Sequence, residues 1–230
     1  MVLVMPGFVP RVEILPPAQK RLWGELSAVP REFVLYGGTA LALHLGHRQS
    51  VDFDFFGDRA LDVPALEAGI AFLGGATILQ RQANTLSALI DRGDPVKVSF
   101  FGVPRLPRLA PPHVASDNGL QIASVLDLAG TKASVLQLRA EAKDYIDLDA
   151  LLRSGQVDLP MALSAAGALY GASFNPEITL KALSYFDDGN LRDLPDALKL
   201  RLATAVREVD LDHLPSLSPM SRQRDYGHEL

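Results

Sequence analysis

Residues 51–56 read VDFDFF, a strict alternation that puts Asp52 and Asp54 on one face of a strand and Val51, Phe53 and Phe55 on the other. Such a strand needs a sheet with one face in an apolar core. It also sets two like charges side by side between buried-type neighbours, which costs both desolvation and repulsion. A divalent cation held by both carboxylates would remove the two penalties together, and hard oxygen ligands suit Mg²⁺ or Mn²⁺. The alternative is a pair of acids on a solvated sheet face.

Upstream, FVLY (33–36) is a short apolar strand that runs into Gly37 and Gly38, and TALALHL continues as a helix. A glycine turn at a helix N-terminus offers backbone N–H groups to a phosphate without a side chain in the way, and the helix dipole favours the negative charge. The Thr39 hydroxyl adds a further donor. A glycine pair alone is a weak signal, since plain turns use it too. Joined to two carboxylates, it describes a triphosphate cradle facing a metal site, the arrangement that phosphoryl and nucleotidyl transfer require.

Elsewhere the pattern predicts a helix over 16–29, a helix from Asp62 through the glycines at 74–75, and an antiparallel meander of ATILQRQ, TLSALID and PVKVSFFG. Ala83-Asn84 is a poor two-residue turn for the first hairpin. The proline-rich stretch 103–119 reads as a linker. Helices follow in SVLDLAGTKASVLQLRA, which opens with Ser124 and Asp127 at capping-box spacing, in AKDYIDLDALLRSG, in NPEITLKALSYF, with Asn175 as cap and Pro176 at the first position, and over 195–209; a polar tail runs from Leu214. The expected fold is therefore α+β: a small α+β core over residues 1–115 with flanking helices, then a helical domain over 116–230.

Composition narrows the function. A formal net charge of −5 argues against a dominant nucleic-acid surface, and the absence of cysteine removes thiol nucleophiles, disulfides and zinc–thiolate sites. The apolar start MVLVMPGFVP is short, lacks a basic leading segment and is broken by Pro6, so it reads poorly as a signal peptide. No run is long enough to span a membrane. The expectation is a soluble chain located in the cytoplasm.

The segment YGGTALALHLGHRQSVDFDFF resembles the nucleotidyltransferase superfamily signature, a glycine pair followed by an Asp-x-Asp strand. More specifically, the chain is similar to the AbiEii/AbiGii-type toxin nucleotidyltransferases. The likeness extends to NTL (84–86), VKVSFF (96–101), AGTKASVLQLRAEAKDYIDLDALL (129–152) and SYFDD (184–188). This resemblance implies a nucleotidyltransferase-like mixed sheet, an NTP substrate, Mg²⁺ or Mn²⁺ on Asp52 and Asp54, and phosphate contacts from Gly37, Gly38 and Thr39. It also implies an RNA or protein acceptor and an antitoxin partner encoded elsewhere. The superfamily usually adds a third carboxylate on a later strand of the sheet. In VKVSFF, alternation places Lys97, Ser99 and Phe101 on one face, so the position expected to carry the acid holds Ser99, which cannot replace a carboxylate as base. Asp91 or Asp94 could replace it only if the preceding turn folds over the site.

In the helical half, Lys132 and Arg139 are seven apart and Asp144 and Asp147 are three apart, each pair on one helix face, while Lys143 and Asp147 are one turn apart. Spacing alone fits surface ion pairs. With the resemblance, the cluster becomes a cationic wall facing the nucleotide. Lys143 and Asp147 then join Asp52 and Asp54 as candidate catalytic residues, and Lys97, Lys132, Arg139 and Asp144 join the nucleotide-binding set. Arg48 either binds phosphate or pairs with Asp52 or Asp58. His44 and His47 read as surface or helix-end residues, and Trp23 and the tyrosines as packing. Two functions remain: a metal-dependent nucleotidyltransferase, and a degenerate relative that binds nucleotide without turnover, which Ser99 favours. A nuclease fits less well, because Pro95 stands where its acid should be. A glycosyltransferase would leave the glycine pair unexplained.

Overall fold

The computed structural model describes residues 8–221, so the reading of the N-terminal ten residues as a poor signal peptide falls largely outside the described part. Its centre is a seven-stranded mixed sheet in the order β3-β4-β5-β2-β1-β7-β6. The strands are β1 (Phe33–Tyr36), β2 (Asp52–Gly57), β3 (Thr77–Gln82), β4 (Thr85–Asp91), β5 (Pro95–Gly102), β6 (His113–Val114) and β7 (Gln121–Ile122). Strands β2 and β5 are parallel, as are β1 and β7, and the other neighbours are antiparallel. The α+β class is what the pattern called for, and the mixed sheet is what the resemblance implied.

Eight α-helices complete the described residues: α1 (Pro17–Trp23), α2 (Gly37–Leu45), α3 (Val63–Gly69), α4 (Val125–Val135), α5 (Ala142–Arg153), α6 (Leu159–Tyr170), α7 (Pro176–Ala182) and α8 (Asp196–Arg207). None is long and apolar enough to cross a membrane. The caps are those the sequence announced: Asp62 accepts from the Ala65 N–H, Ser124 from Asp127 and Asn175 from Glu177.

The alternation in β2 holds. Phe53 and Phe55 are fully buried, and Phe55 stacks on Phe100 of β5 with ring centres 5.1 Å apart. Val51 differs from expectation: it precedes the strand and is exposed. Phe56 falls on the aspartate face and meets Tyr36 edge-on at 5.5 Å.

The expected antiparallel meander of β3, β4 and β5 is present. The β3–β4 hairpin closes on Ala83-Asn84 because Asn84 adopts a positive φ of 61°, a conformation asparagine tolerates. The helix from Asp62 stops at Gly69 and resumes only as a 3₁₀ turn at Ala71–Leu73. The proline-rich stretch contributes β6, which pairs with β7, so the 115/116 boundary expected between domains lies inside a hairpin of the sheet. Helix α6 was not anticipated. Its sequence, LPMALSAAGALY, is small and apolar on all sides and so lacks the periodic stripe that reveals a surface helix. Of the polar tail, residues 214–221 are described, and the Met220 N–H donates to the Arg108 carbonyl at 2.7 Å.

Helices α4 and α6 pack closely because Gly130 has no side chain. A Cβ there would lie 2.8 Å from the Ala165 carbonyl carbon and 2.9 Å from the Ala166 nitrogen, both backbone atoms. His44, in the last turn of α2, is not a surface residue. It donates through Nε2 to the Ala123 carbonyl at 2.9 Å and packs against Phe8 and His113 with ring centres 4.5 and 5.2 Å away. Burial, opposed by the Ala123 hydrogen bond and assisted by His113, lowers its pKa to about 4.

Two outcomes follow. Gly130→Ala should lower the chemical-denaturation midpoint, with a net loss of about 1–3 kcal/mol from overpacking that outweighs the helix propensity gained. Because the folded pKa of His44 is depressed, its contribution is complete above the unfolded value of about 6.5 and is lost as pH falls towards about 4. Urea melts across that interval should show a fall on the order of 3 kcal/mol that is absent from His44→Gln.

Candidate functional site

A cavity of about 590 Å³ opens where the carboxyl ends of β1 and the start of β2 meet α4 and the turn after it. Its lining includes Gly37, Gly38, Arg48, Asp52, Asp54, Lys97, Lys132, Arg139 and Lys143, so nine of the twelve residues expected at the site converge there. Thr39, Asp144 and Asp147 do not line it.

The floor is set by strand register. Pairing of β2 with β5 puts Lys97 beside Asp52 and Ser99 beside Asp54. Burial, then the charge of Asp52, push the Asp54 carboxyl up, against the opposing pull of Lys97, a Ser99 hydrogen bond and Lys132. Ser99 is fully buried and hydrogen-bonded to Ser87 of β4 at 3.1 Å. The position of the anticipated third carboxylate is thus occupied by a serine. Asp91 and Asp94 do not replace it. Their turn is fastened to the N-terminal helical segment by Arg92, which forms a fork with Glu25 at 2.6 Å through both Nε and Nη2, and neither aspartate lines the cavity. Among the described residues no three His, Asp or Glu side chains gather in a metal-binding group.

The glycine turn lies against this floor. Gly37 has φ of +75°, and a Cβ on it would approach Asp54 Oδ2 at 3.3 Å. At Gly38 a Cβ would fall 2.7 Å from Arg48 Nη2 and 2.9 Å from Ser50 Oγ. The missing side chain therefore admits the Arg48 guanidinium, and an anion at this turn would meet Arg48 as well as the backbone. Thr39 is a correction: it is fully buried and its hydroxyl donates to the Asp52 carbonyl, tying α2 to β2 instead of facing the cavity.

The cationic wall is built differently from the sequence expectation. Asp147 is fully buried. It accepts from Arg48 Nε and Nη2 at 2.6 and 2.8 Å and from His47 Nε2 at 2.7 Å, and pairs with Lys132 Nζ at 2.6 Å. Burial alone would raise its carboxyl, but the His47 and Arg48 hydrogen bonds and the Lys132 and Arg48 charges hold it well below the usual carboxylate range. It has no free access to substrate, so the expectation of a catalytic carboxylate at Asp147 gives way to a positioning residue. Asp144, also fully buried, holds Lys132 Nζ at 2.8 Å and Arg139 Nε at 2.8 Å. Arg139 does not share a helix face with Lys132, because α4 ends at Val135 and Arg139 reaches back from the following turn. Lys143 is half-exposed and pairs with Glu141 at 2.7 Å, not with Asp147. Arg48 pairs with neither Asp52 nor Asp58.

Several contributors escaped the sequence reading. His47 supports Asp147 from the α2–β2 connection, at a spacing of one hundred residues that no local pattern reveals. Tyr36 and Tyr170 line the cavity with Leu106, Pro107 and Val135 and give it an apolar wall. Tyr36 had a signal, since it is the last strand residue before the glycine turn.

Removing the anion from this buried cluster should be costly. Asp147→Asn leaves Arg48, Lys132 and His47 with less negative charge than they face now, and should reduce the unfolding free energy in urea by about 3–5 kcal/mol.

Comparison with known proteins identifies the family. The family model described as "Nucleotidyl transferase AbiEii toxin, Type IV TA system" matches residues 21–219. An uncharacterized protein of Aquifex aeolicus (strain VF5), aq_aa25, is 35% identical over 159 residues, covering 68% of this chain and 75% of the relative. Among solved structures, the nucleotidyltransferase toxin MenT4 of Mycobacterium tuberculosis H37Rv superposes with a TM-score of 0.56 at 17% identity, covering 85% of this chain and 83% of MenT4. A candidate nucleotidyltransferase from H. pylori gives 0.52 at 17% identity, covering 83% and 92% respectively. At that identity the two structures speak for the fold alone, while the family model spans most of the sequence. The chain belongs to the AbiEii family of nucleotidyltransferase toxins.

Proposed function

We propose that the cavity binds an NTP with a divalent cation, Mg²⁺ or Mn²⁺, and that the protein transfers a nucleotide from it to an RNA or protein hydroxyl in the cytoplasm, where an antitoxin restrains it. The carrying observation is the convergence of Asp52 and Asp54 with Gly37, Gly38 and five cationic side chains around one cavity. The two carboxylates are adjacent oxygen donors on one face, a set that suits a hard cation whose remaining positions are filled by phosphate oxygens and water. Bound there, the cation would neutralise phosphate charge during transfer.

The chain's own residues account for the rest. Arg48, Lys132, Arg139 and Lys143 set positive charge around the triphosphate, and the buried carboxylates Asp144 and Asp147 fix the first three in place. Arg48 spends three guanidinium donors on Asp147 and the Gln49 carbonyl, and retains others for an anion. The N-terminus of α2 adds backbone N–H groups at the glycine turn. Tyr36 and Tyr170, in the apolar part of the wall, suit a nucleobase.

Incubating the protein with Mg²⁺, each labelled NTP, bulk tRNA and cell extract should transfer label to RNA or protein. Asp52→Asn combined with Asp54→Asn should abolish both cation-dependent NTP binding by calorimetry and label transfer while the circular dichroism stays native. Equal binding by that double variant would refute the assignment. The buried Ser99 favours a second reading, nucleotide binding without turnover. Tight Mg–NTP binding with no label in any acceptor would select it.

A further inference from the structure

Resting on the nucleotidyltransferase reading, we propose that this site works with a single divalent cation and that the Lys97 ammonium supplies the positive charge a second metal ion would otherwise bring. Three observations on the floor point the same way. First, two carboxylates are present and the third position of the register is Ser99, which is fully buried against Ser87 and absent from the cavity lining. Neither Asp91 nor Asp94 reaches the cavity. A second divalent ion would therefore have to share Asp52 and Asp54 with the first.

Second, Lys97 lies beside Asp52 in the parallel ladder and lines the cavity, on the same face as both aspartates. The ammonium therefore already places positive charge on this face, where the register supplies no third carboxylate to hold a second ion.

Third, the cations of this cavity are not equivalent. Arg48 is held by Asp147, Lys132 by Asp144 and Asp147, Arg139 by Asp144, and Lys143 by Glu141. Among the described residues Lys97 makes no ion pair within 4.0 Å and no side-chain hydrogen bond. The four held cations are already partnered before substrate arrives. Lys97 alone of the five keeps its full donor capacity for whatever binds between it and the aspartates.

In the reaction the acceptor hydroxyl oxygen forms a bond to the α-phosphorus, the α–β phosphoanhydride bond breaks, and pyrophosphate leaves with that electron pair. The acceptor's proton passes to solvent water, since no carboxylate replaces Ser99 as a base. Lys97 Nζ favours that loss by stabilising the negative charge left on the acceptor oxygen as its proton departs.

The test is to count bound Mn²⁺ in the full-length protein saturated with a non-hydrolysable α,β-methylene NTP, using electron paramagnetic resonance of free Mn²⁺. The transfer rates of Lys97→Met and Lys97→Arg are then measured. We expect one Mn²⁺ per complex in the wild type and in Lys97→Met. We expect a loss of transfer of at least about 100-fold in Lys97→Met, with a smaller loss in Lys97→Arg. Two ions in the wild-type complex would overturn the inference and leave the nucleotidyltransferase reading standing. So would one ion combined with a Lys97→Met rate within about threefold of wild type. Absence of Mn²⁺-dependent nucleotide binding would instead remove the functional reading, and this inference with it.

Discussion

A carboxylate with no exposed surface, surrounded by an arginine, a lysine and a histidine, is the contact on which the arrangement of this protein turns. Asp147 belongs to α5, Lys132 to α4, and His47 and Arg48 to the connection between α2 and β2. Removing four ionisable groups from water is expensive, and the expense is recovered only when all of them meet in good geometry. That requirement sets the helical layer against the sheet in one orientation. It also keeps the guanidinium of Arg48 and the ammonium of Lys132 at the cavity edge instead of collapsed onto Asp52 and Asp54. Asp144 repeats the device one turn earlier, with Lys132 shared between the two carboxylates.

How much of this could be seen in the sequence depended on the range of the interaction concerned. Alternation in VDFDFF foretold that Asp52 and Asp54 share a face of β2, and alternation in VKVSFF foretold that Lys97 and Ser99 share one, both from the two-residue period of a strand. That the two faces meet was implied by the resemblance, and the β2–β5 register brings Ser99 beside Asp54. Caps at Asp62, Ser124 and Asn175 were equally legible, because a cap involves residues two or three apart. Helix α6 was invisible, since small and apolar residues on every side erase the periodicity that would disclose it. β6 and β7 are two residues each, too short for any pattern.

The candidate site was legible as a list of residues and misread as a set of roles. Which residues gather follows from motif and resemblance. Which of them see the cavity depends on burial, and burial is a property of the whole fold. Asp147 and Lys143 share a helix and a face by spacing, yet one is sealed among cations and the other lies half in water beside Glu141. Thr39 looked like a phosphate ligand because it follows two glycines. The same position, one residue further into α2, turns its hydroxyl back onto the β2 backbone.

The parallel pairing of β2 with β5 has a consequence for how the protein comes to life. Strand β5 lies about forty-five residues downstream of β2, with α3 and the β3–β4 hairpin between them, so this ladder closes a long loop and is a non-local step of folding. A slip of one residue in that step would turn Asp52 and Asp54 into the phenylalanine stack and push Phe53 and Phe55 outwards. The aromatic contacts between Phe55 and Phe100 reject the slip, and the same event that seats those rings delivers Lys97 and Ser99 to the aspartates. Chemistry and core therefore mature together. A chain still emerging from synthesis, or one whose core has loosened, carries the motif without the register that brings Lys97 and Ser99 beside the aspartates.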